Sequence, residues 1–218
     1  MPRALRAPVQ ARTWRETLYL LLNLPVGIVT FTVAMTFWAL GIGLLTAALI
    51  GIPILIATIY VSRAMAGVER ARAKALLGVD VPAPYRPAPV GTWWRVQFDR
   101  FKDPATYLEL GYHLLLLPIG IFTFTVALTL WAIGIGLVTS PSYGWALPEP
   151  ISLIGNDLDR WLTLDTPWDY TLAVLLGALV ILVTPWVVRG LAVASGSLVR
   201  GMLGADVTQR MQTLTETR

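Results

Sequence analysis

Aromatic rings and carboxylates alternate in the segment 140–169, which separates two long apolar runs of the chain. Its candidate ligand-binding residues are Trp145, Asp157, Asp159, Trp161 and Trp168. Because ring faces attract cations and Asp pairs with them, this set of side chains suits a cationic or amphipathic ligand. The alternative is that the rings anchor the chain at a lipid interface and that the acids only reflect the side of the membrane that the segment faces.

Residues suited to catalysis or metal binding are scarce. The chain has no Cys and a single His, which excludes thiolate nucleophiles, disulfides, iron–sulfur clusters and two-imidazole metal sites. That residue, His113, follows Glu109 by one helical turn; it either packs between helices or senses pH. No nucleophile with a base, carboxylate dyad or Gly-rich phosphate loop has the spacing for catalysis. We therefore expect no enzymatic activity, no metal and no cofactor within these residues.

The elements that position these side chains are predicted to be membrane-spanning helices. Hydrophobic residues make up 56% of the 218 residues and charged residues 14%, with a mean hydropathy of +0.64, which excludes a water-soluble enzyme core. The 46 positions from Thr17 to Ser62 carry no charge and have room for two crossings of about 20 residues each, with a break near 39–47. Further crossings are predicted over 107–139 and 170–188. The predicted fold class is an all-α polytopic membrane protein with four transmembrane helices.

Lys and Arg residues are distributed unevenly about these spans. Sixteen of the 17 lie within residues 1–15, 63–102 and 189–218, whereas Arg160 lies in the segment 140–169. The positive-inside rule therefore predicts a multi-pass cell-membrane protein with cytoplasmic N- and C-termini and an outward-facing loop at 140–169. The same charges predict anionic inner-leaflet headgroups as partners. Nucleic-acid binding is not expected, because the cations are not gathered on one module.

The chain contains an internal duplication. Residues 18–46 and 111–139 are identical at 20 of 29 positions, at an offset of 93, and the second halves match at an offset of 126. Because each copy contains two spans, both copies should have the same orientation and form two parallel helical-hairpin repeats. Leu-Gly-x-Asp-Val segments at 77–81 and 203–207 are predicted to end each copy, with Gly as the helix stop.

This duplication divides the chain into five segments. Trp94, Phe98 and Phe101 have helical spacing and follow an extended, Pro-rich stretch, which predicts a cytoplasmic amphipathic helix. That helix either lies under the inner leaflet or packs on the protein's own spans. The segments are a cytoplasmic tail (1–12), repeat 1 (13–81), the linker with its amphipathic helix (82–103), repeat 2 (104–207) and the start of a coiled coil (208–218).

The C-terminal end combines a proline in the fourth span with the spacing of a coiled coil. Pro185 weakens the hydrogen bonding of the fourth span, and Arg189 ends its uncharged run. Val207, Met211 and Leu214 then follow at spacings of four and three, which is the spacing of a coiled-coil seam. A coiled-coil exit predicts a homodimer.

Several short motifs accompany the repeat. Leu-Pro-x-Gly occurs at 24–27 and at 117–120, together with Leu-Leu-Gly and Asp-Pro-Ala-Thr segments. With these motifs, residues 13–207 resemble the sensor domain of actinobacterial membrane (two-component) histidine kinases. The resemblance implies that the chain is the input half of such a kinase, with a kinase core in cis, or a stand-alone relative that acts on a signalling partner in trans.

The leading interpretation is a membrane-embedded signal-input module that detects an extracytoplasmic or membrane-borne stimulus. It would relay that stimulus through the fourth transmembrane helix and the coiled coil to a cytoplasmic output, with Pro185, Arg189, Val207, Met211 and Leu214 as the candidate signal-relay residues. One alternative is a small transporter or transporter accessory subunit, which is disfavoured because no ionisable residue lies between Thr17 and Ser62 or within the fourth span. The other alternative is a membrane scaffold that recruits cytoplasmic partners through the basic middle segment.

Overall fold

The computed structural model describes residues 7–45, 48–85, 92–144, 152–154, 162–163 and 166–204. Its secondary structure is dominated by long helices, and the described part of the segment 140–169 adds one short antiparallel strand pair. The elements are α1 (Ala11–Gly43), α2 (Ala48–Arg72), α3 (Trp93–Lys102), α4 (Pro104–Tyr143), β1 (Ser152–Ile154), β2 (Leu162–Thr163) and α5 (Pro167–Leu203).

Among the described residues, four helices are long and apolar enough to cross a membrane: α1, α4, α5 and α2 with its continuation to Leu77. This confirms the predicted all-α class with four spans. The break between α1 and α2 falls within the predicted interval 39–47. The strand pair was not anticipated, because three residues against two make too short a pattern to detect in a sequence.

Local sequence signals set where the described helices begin and end. Gly78 has a φ of 68° and donates its N–H to carbonyls of the π-helical turn Ala73–Leu77 that closes α2, as the predicted Gly stop requires. Asp103 caps α4, since its Oδ1 accepts the N–H of Ala105 at 3.1 Å. The start of α5 is fixed by Asp169, whose Oδ2 accepts both the N–H and the hydroxyl of Thr166.

The chain forms two compact units, of which unit 1 consists of residues 1–14 and 125–189. Within unit 1, α4 and α5 pack as an antiparallel hairpin at glycines. A Cβ on Gly177 would lie 2.7 Å from Leu137 Cβ, and a Cβ on Gly134 would lie 2.7 Å from Ile181 Cγ1. Small residues at these positions let the two helices approach closely.

Unit 2 consists of residues 15–124 and 190–218. Within it, α1 and α4 touch backbone to backbone at two equivalent glycines. A Cβ on Gly27 would lie 3.0 Å from the carbonyl oxygen of Leu116, and a Cβ on Gly120 would lie 2.6 Å from that of Asn23. Because the residue numbers rise along one helix as they fall along the other, the contact is antiparallel.

This antiparallel contact differs from the parallel packing of equivalent helices that two like-oriented repeats predict. The two contacts exchange under the repeat offset of 93, which places Gly27 on Gly120 and Asn23 on Leu116. The repeats are therefore related, at this contact, by a local pseudo-twofold relation. Each repeat supplies one glycine notch and one backbone segment that fits the other repeat's notch.

Candidate functional site: a buried polar network

The charged side chains that follow the apolar run of α2 point into the interior of unit 2. The side chains of Arg63, Glu69, Arg70 and Arg72 are 16%, 1%, 11% and 9% exposed. The exposed positions between them carry Ala64, Val68 and Ala71. The outer surface of α2 therefore stays apolar beyond Ser62, and its charges lie among helices that are candidate membrane spans.

One group of polar side chains surrounds Glu69. Its Oε1 accepts hydrogen bonds from Arg72 Nη2 at 2.6 Å and from the Tyr19 hydroxyl at 3.0 Å. The guanidinium of Arg72 also lies 4.3 Å from the centre of the Tyr19 ring, in a cation–π contact. Glu69 and Arg72 thus form a buried charge pair that α1 encloses.

The same group reaches α4 through an amide. Arg72 Nη2 donates to Asn23 Oδ1 at 2.7 Å, and Asn23 Nδ2 donates to the Thr123 hydroxyl at 3.1 Å. Both Asn23 and Thr123 are buried. The chain of contacts Glu69–Arg72–Asn23–Thr123 therefore joins α2, α1 and α4 beside the glycine contact of α1 with α4.

A second group is built around Tyr85, which follows the end of α2 in the Pro-rich linker. Its hydroxyl donates to Glu109 Oε1 at 2.5 Å and accepts from Arg70 Nη2 at 2.9 Å. The Tyr85 ring lies between two guanidiniums, with Arg63 at 4.6 Å and Arg70 at 5.2 Å from its centre. Tyr85 thus ties the linker to both α2 and α4. Burial, reinforced by the hydrogen bond to Glu109, raises the pKa of Tyr85 to about 12.

His113, a candidate for interfacial placement or pH sensing, is fully buried on α4. Its Nε2 lies 3.3 Å from the carbonyl oxygen of Ser62 on α2. Glu69 lies close enough to act electrostatically on the ring. His113 packs between helices, and its partner is α2 rather than Glu109, which instead binds Tyr85.

Both groups hold buried polar atoms with no hydrogen-bond partner among the described residues. They include Oε2 of Glu69, Oε2 of Glu109, Nδ1 of His113, and Nε and Nη1 of Arg72. Each such atom costs about 1–3 kcal/mol relative to a paired one.

The last part of α5 packs beside this network. A Cβ on Gly196 would make ordinary contacts with Val79 and Leu77, and Met202 Cε would lie 3.3 Å from a Cβ on Gly111. Leu77 and Val79 follow the charged end of α2, and Gly111 lies between Glu109 and Tyr112. The end of α5 therefore contacts the segments that carry both polar groups.

The two repeats differ at the network. At an offset of 126, Ser195 and Leu198 of repeat 2 stand where Glu69 and Arg72 stand in repeat 1. At an offset of 93, Leu20 stands where His113 stands, and Leu116 where Asn23 stands. In each pair, the side chain that belongs to the network is charged or able to form several hydrogen bonds, and its counterpart is uncharged. Ser195 and Leu198 of repeat 2 therefore indicate suitable replacements for Glu69 and Arg72.

Few of the site residues predicted from the sequence lie in the described part of the chain. Trp168 does, at the first turn of α5, and it is 77% exposed. Pro185 is buried within α5, and Arg189 is exposed on the same helix. The remaining predicted ligand-binding and relay residues lie outside the described residues: Trp145, Asp157, Asp159, Trp161, Val207, Met211 and Leu214.

Sequence reasoning missed the network itself. It used the uncharged run from Thr17 to Ser62 to argue against ionisable groups in the spans, but α2 continues as one helix beyond Ser62 and buries Glu69 and Arg72. The available signal was the spacing of 62, 66, 69 and 73, which puts Ser, Ala, Glu and Ala on one helix face.

The chain is similar to one known protein family. A family model described as "Putative sensor" matches residues 1–50 and 19–203. The chain belongs to this sensor family. No curated protein and no solved structure matches the sensor chain. The sensor chain is thus a multi-pass membrane protein with a sensory role, and the polar network is its candidate functional site.

Proposed function

We propose that this sensor chain is a membrane-embedded signal-input module. A stimulus from outside the cell or within the bilayer changes the hydrogen bonding of the buried network. The end of α5 follows that change and passes it to a cytoplasmic output such as a histidine kinase core, in cis or in trans. The proposal places the C-terminal end in the cytoplasm, where the Lys and Arg count predicts it, and takes the homodimer as the signalling form.

The observation that carries this proposal is the contact of α5 with Leu77 and Val79, which follow the charged end of α2, and with Gly111 of α4. A relay needs an element with two arrangements of similar energy and an output helix that touches it. We take the buried network as the first, because Arg72 Nη2 is shared between Glu69 Oε1 and Asn23 Oδ1 and can move toward either acceptor. The packing of Gly196 and Met202 supplies the second.

The test joins the chain in frame, through residues 207–218, to the phosphoacceptor helix and ATP-binding domain of a histidine kinase. Phosphate transfer from ATP is measured in membranes. We expect the double replacement Glu69→Ser with Arg72→Leu, which installs the residues of repeat 2, to change the rate at least about fivefold, as an allosteric coupling of about 1 kcal/mol requires. An unchanged rate in an inserted, folded variant would refute the relay.

A matched control removes an exposed ion pair near the end of the same helix. Lys74 Nζ lies 2.9 Å from Asp80 Oδ2, and both side chains are well exposed. Lys74→Leu with Asp80→Ser alters charge and residue type in the same way as the network variant. Since this pair touches solvent rather than the network, we expect the phosphorylation rate to stay at the unmodified level.

A second candidate function is a small proton- or ion-coupled transporter. The observation in its favour is that Glu69, Glu109 and His113 are buried within candidate membrane spans, where ionisable residues often mark ion pathways. Proton uptake into liposomes that contain the purified chain separates the two functions. The transporter predicts uptake that Glu69→Gln abolishes, and the signal-input module predicts none.

A further inference from the structure

Helix α3 has one face docked on the protein and one face left open. Gln97 is buried, and its Nε2 donates to the Tyr60 hydroxyl at 3.2 Å, while the guanidinium of Arg100 lies 4.8 Å from the Tyr60 ring centre. Phe98 and Trp94, one turn apart on another side of the helix, are 63% and 53% exposed. Packing on the protein's own spans therefore describes the face with Gln97 and Arg100, whereas a position under the inner leaflet stays a prediction for the exposed face.

The charges on the open side of α3 favour an anionic partner. Arg95 and Lys102 are exposed, against one exposed acid, Asp99. The other acid, Asp103, is bound by Arg63 Nη2 at 3.1 Å and is therefore neutralised within the protein. Exposed aromatic rings flanked by cations are the side chains that hold a helix in the headgroup region of a bilayer.

The docked side of α3 is connected to the polar network. Asp103, at the end of α3, binds Arg63 and caps α4 through Ala105. Arg63 in turn lies on the ring of Tyr85, which is bonded to Glu109 and Arg70. A change in the position of α3 therefore acts on the second polar group through one ion pair and one ring contact.

We propose that the open face of α3 binds the surface of an anionic bilayer, and that the negative charge of that surface is a stimulus that the module reads. The face is formed by Trp94, Arg95, Phe98 and Lys102. The rings enter the headgroup region and the two cations meet lipid phosphates, which draws α3 and its Asp103–Arg63 ion pair toward the bilayer. This inference rests on the proposed function for the relay step, but the binding step stands independently of it.

The binding step is tested with a spin label on the whole chain in lipid nanodiscs. Because the chain has no Cys, Thr92→Cys puts one label at the exposed start of α3. Access of the label to oxygen and to a water-soluble nickel chelate reports its depth. We expect nanodiscs that contain phosphatidylglycerol to favour the membrane-bound position at least about tenfold over phosphatidylcholine alone, from two cations near a charged surface.

Two charge variants make this test specific. Arg95→Glu with Lys102→Glu is expected to remove the effect of phosphatidylglycerol on the label. Arg189→Glu with Arg200→Glu changes net charge equally at two exposed positions of α5 and is expected to keep the effect. Equal label depth in both lipids, or equal loss in both variants, would overturn the inference. A lipid-dependent label position together with a kinase-fusion phosphorylation rate that is the same in both lipids would overturn the reading of charge as a stimulus. The binding surface would then stand, and the relay would be judged separately by the Glu69→Ser with Arg72→Leu variant.

Discussion

The ion pair between Glu69 and Arg72 makes an energetic test of the buried network possible. Glu69 Oε1 and Arg72 Nη2 are 2.6 Å apart, with side chains 1% and 9% exposed. Removing either partner leaves a buried charge uncompensated, at a cost of about 3–5 kcal/mol. Removing both at once eliminates that charge, and uncharged or apolar replacements are close to neutral or stabilising. Glu69→Ser and Arg72→Leu are the appropriate single changes, since repeat 2 carries Ser195 and Leu198 at these positions.

The assay is a double-mutant cycle of unfolding free energies, measured by reversible unfolding in mixed micelles. Since each single variant loses about 3–5 kcal/mol and the double variant loses much less than the sum of the two, we expect a coupling energy of at least about 3 kcal/mol. The exposed pair Lys74–Asp80, at a similar distance, should show less than about 1 kcal/mol. Additivity within about 0.5 kcal/mol for Glu69 and Arg72 would show that the two charges do not form a buried pair.

Three further predictions follow from the described contacts. Tyr85 has its pKa raised from 10.0 to about 12. The neutral hydroxyl of Tyr85 therefore contributes its full stabilisation below pH 10, and this contribution is lost as the pH rises through about 12. Between these two pH values, the melting temperature of Tyr85→Phe should fall less than that of the unmodified chain. Gly120→Ala should lower the melting temperature, because its Cβ would lie 2.6 Å from a carbonyl oxygen of α1. Gly190→Ala is the control: its Cβ would meet open space, so the better helix former should raise the melting temperature slightly. Equal effects of the two substitutions would contradict the close contact. The antiparallel contact of α1 with α4 predicts that a membrane-impermeant reagent reaches Arg15→Cys and Asp99→Cys from opposite sides, and labelling of both from one side would contradict it.

The sequence was sufficient for the helices and insufficient for their arrangement. An uncharged run of 46 residues with a glycine pair in its middle has few solutions other than two long helices. Gly78 and Asp103 end and begin helices through local hydrogen bonds, so their roles can be read from neighbouring residues. The direction in which α1 meets α4 depends instead on contacts between residues about 100 positions apart, such as Gly120 with Asn23.

The polar network was not predictable for a related reason. Counting Lys and Arg assigns Arg63, Arg70 and Arg72 to a cytoplasmic segment, because a count does not register which way a side chain points. In the structure these cations face inward, where Glu69, Glu109 and Tyr85 meet them. The same count predicts that α1 and α4 begin on the same side of the membrane. Their antiparallel contact places the two helix starts at opposite ends instead.

The central claim is that the buried network sets the position of α5 relative to α2. Spin labels at Val68→Cys and Val193→Cys, both on exposed positions of unit 2, report that distance by pulsed dipolar spectroscopy in nanodiscs. The account predicts that Glu69→Ser with Arg72→Leu shifts the distance distribution by about 1–2 Å or more, the size of helix shifts in signalling proteins, while Lys74→Leu with Asp80→Ser leaves it in place. Superimposable distributions for the network variant and the unmodified chain would contradict the account.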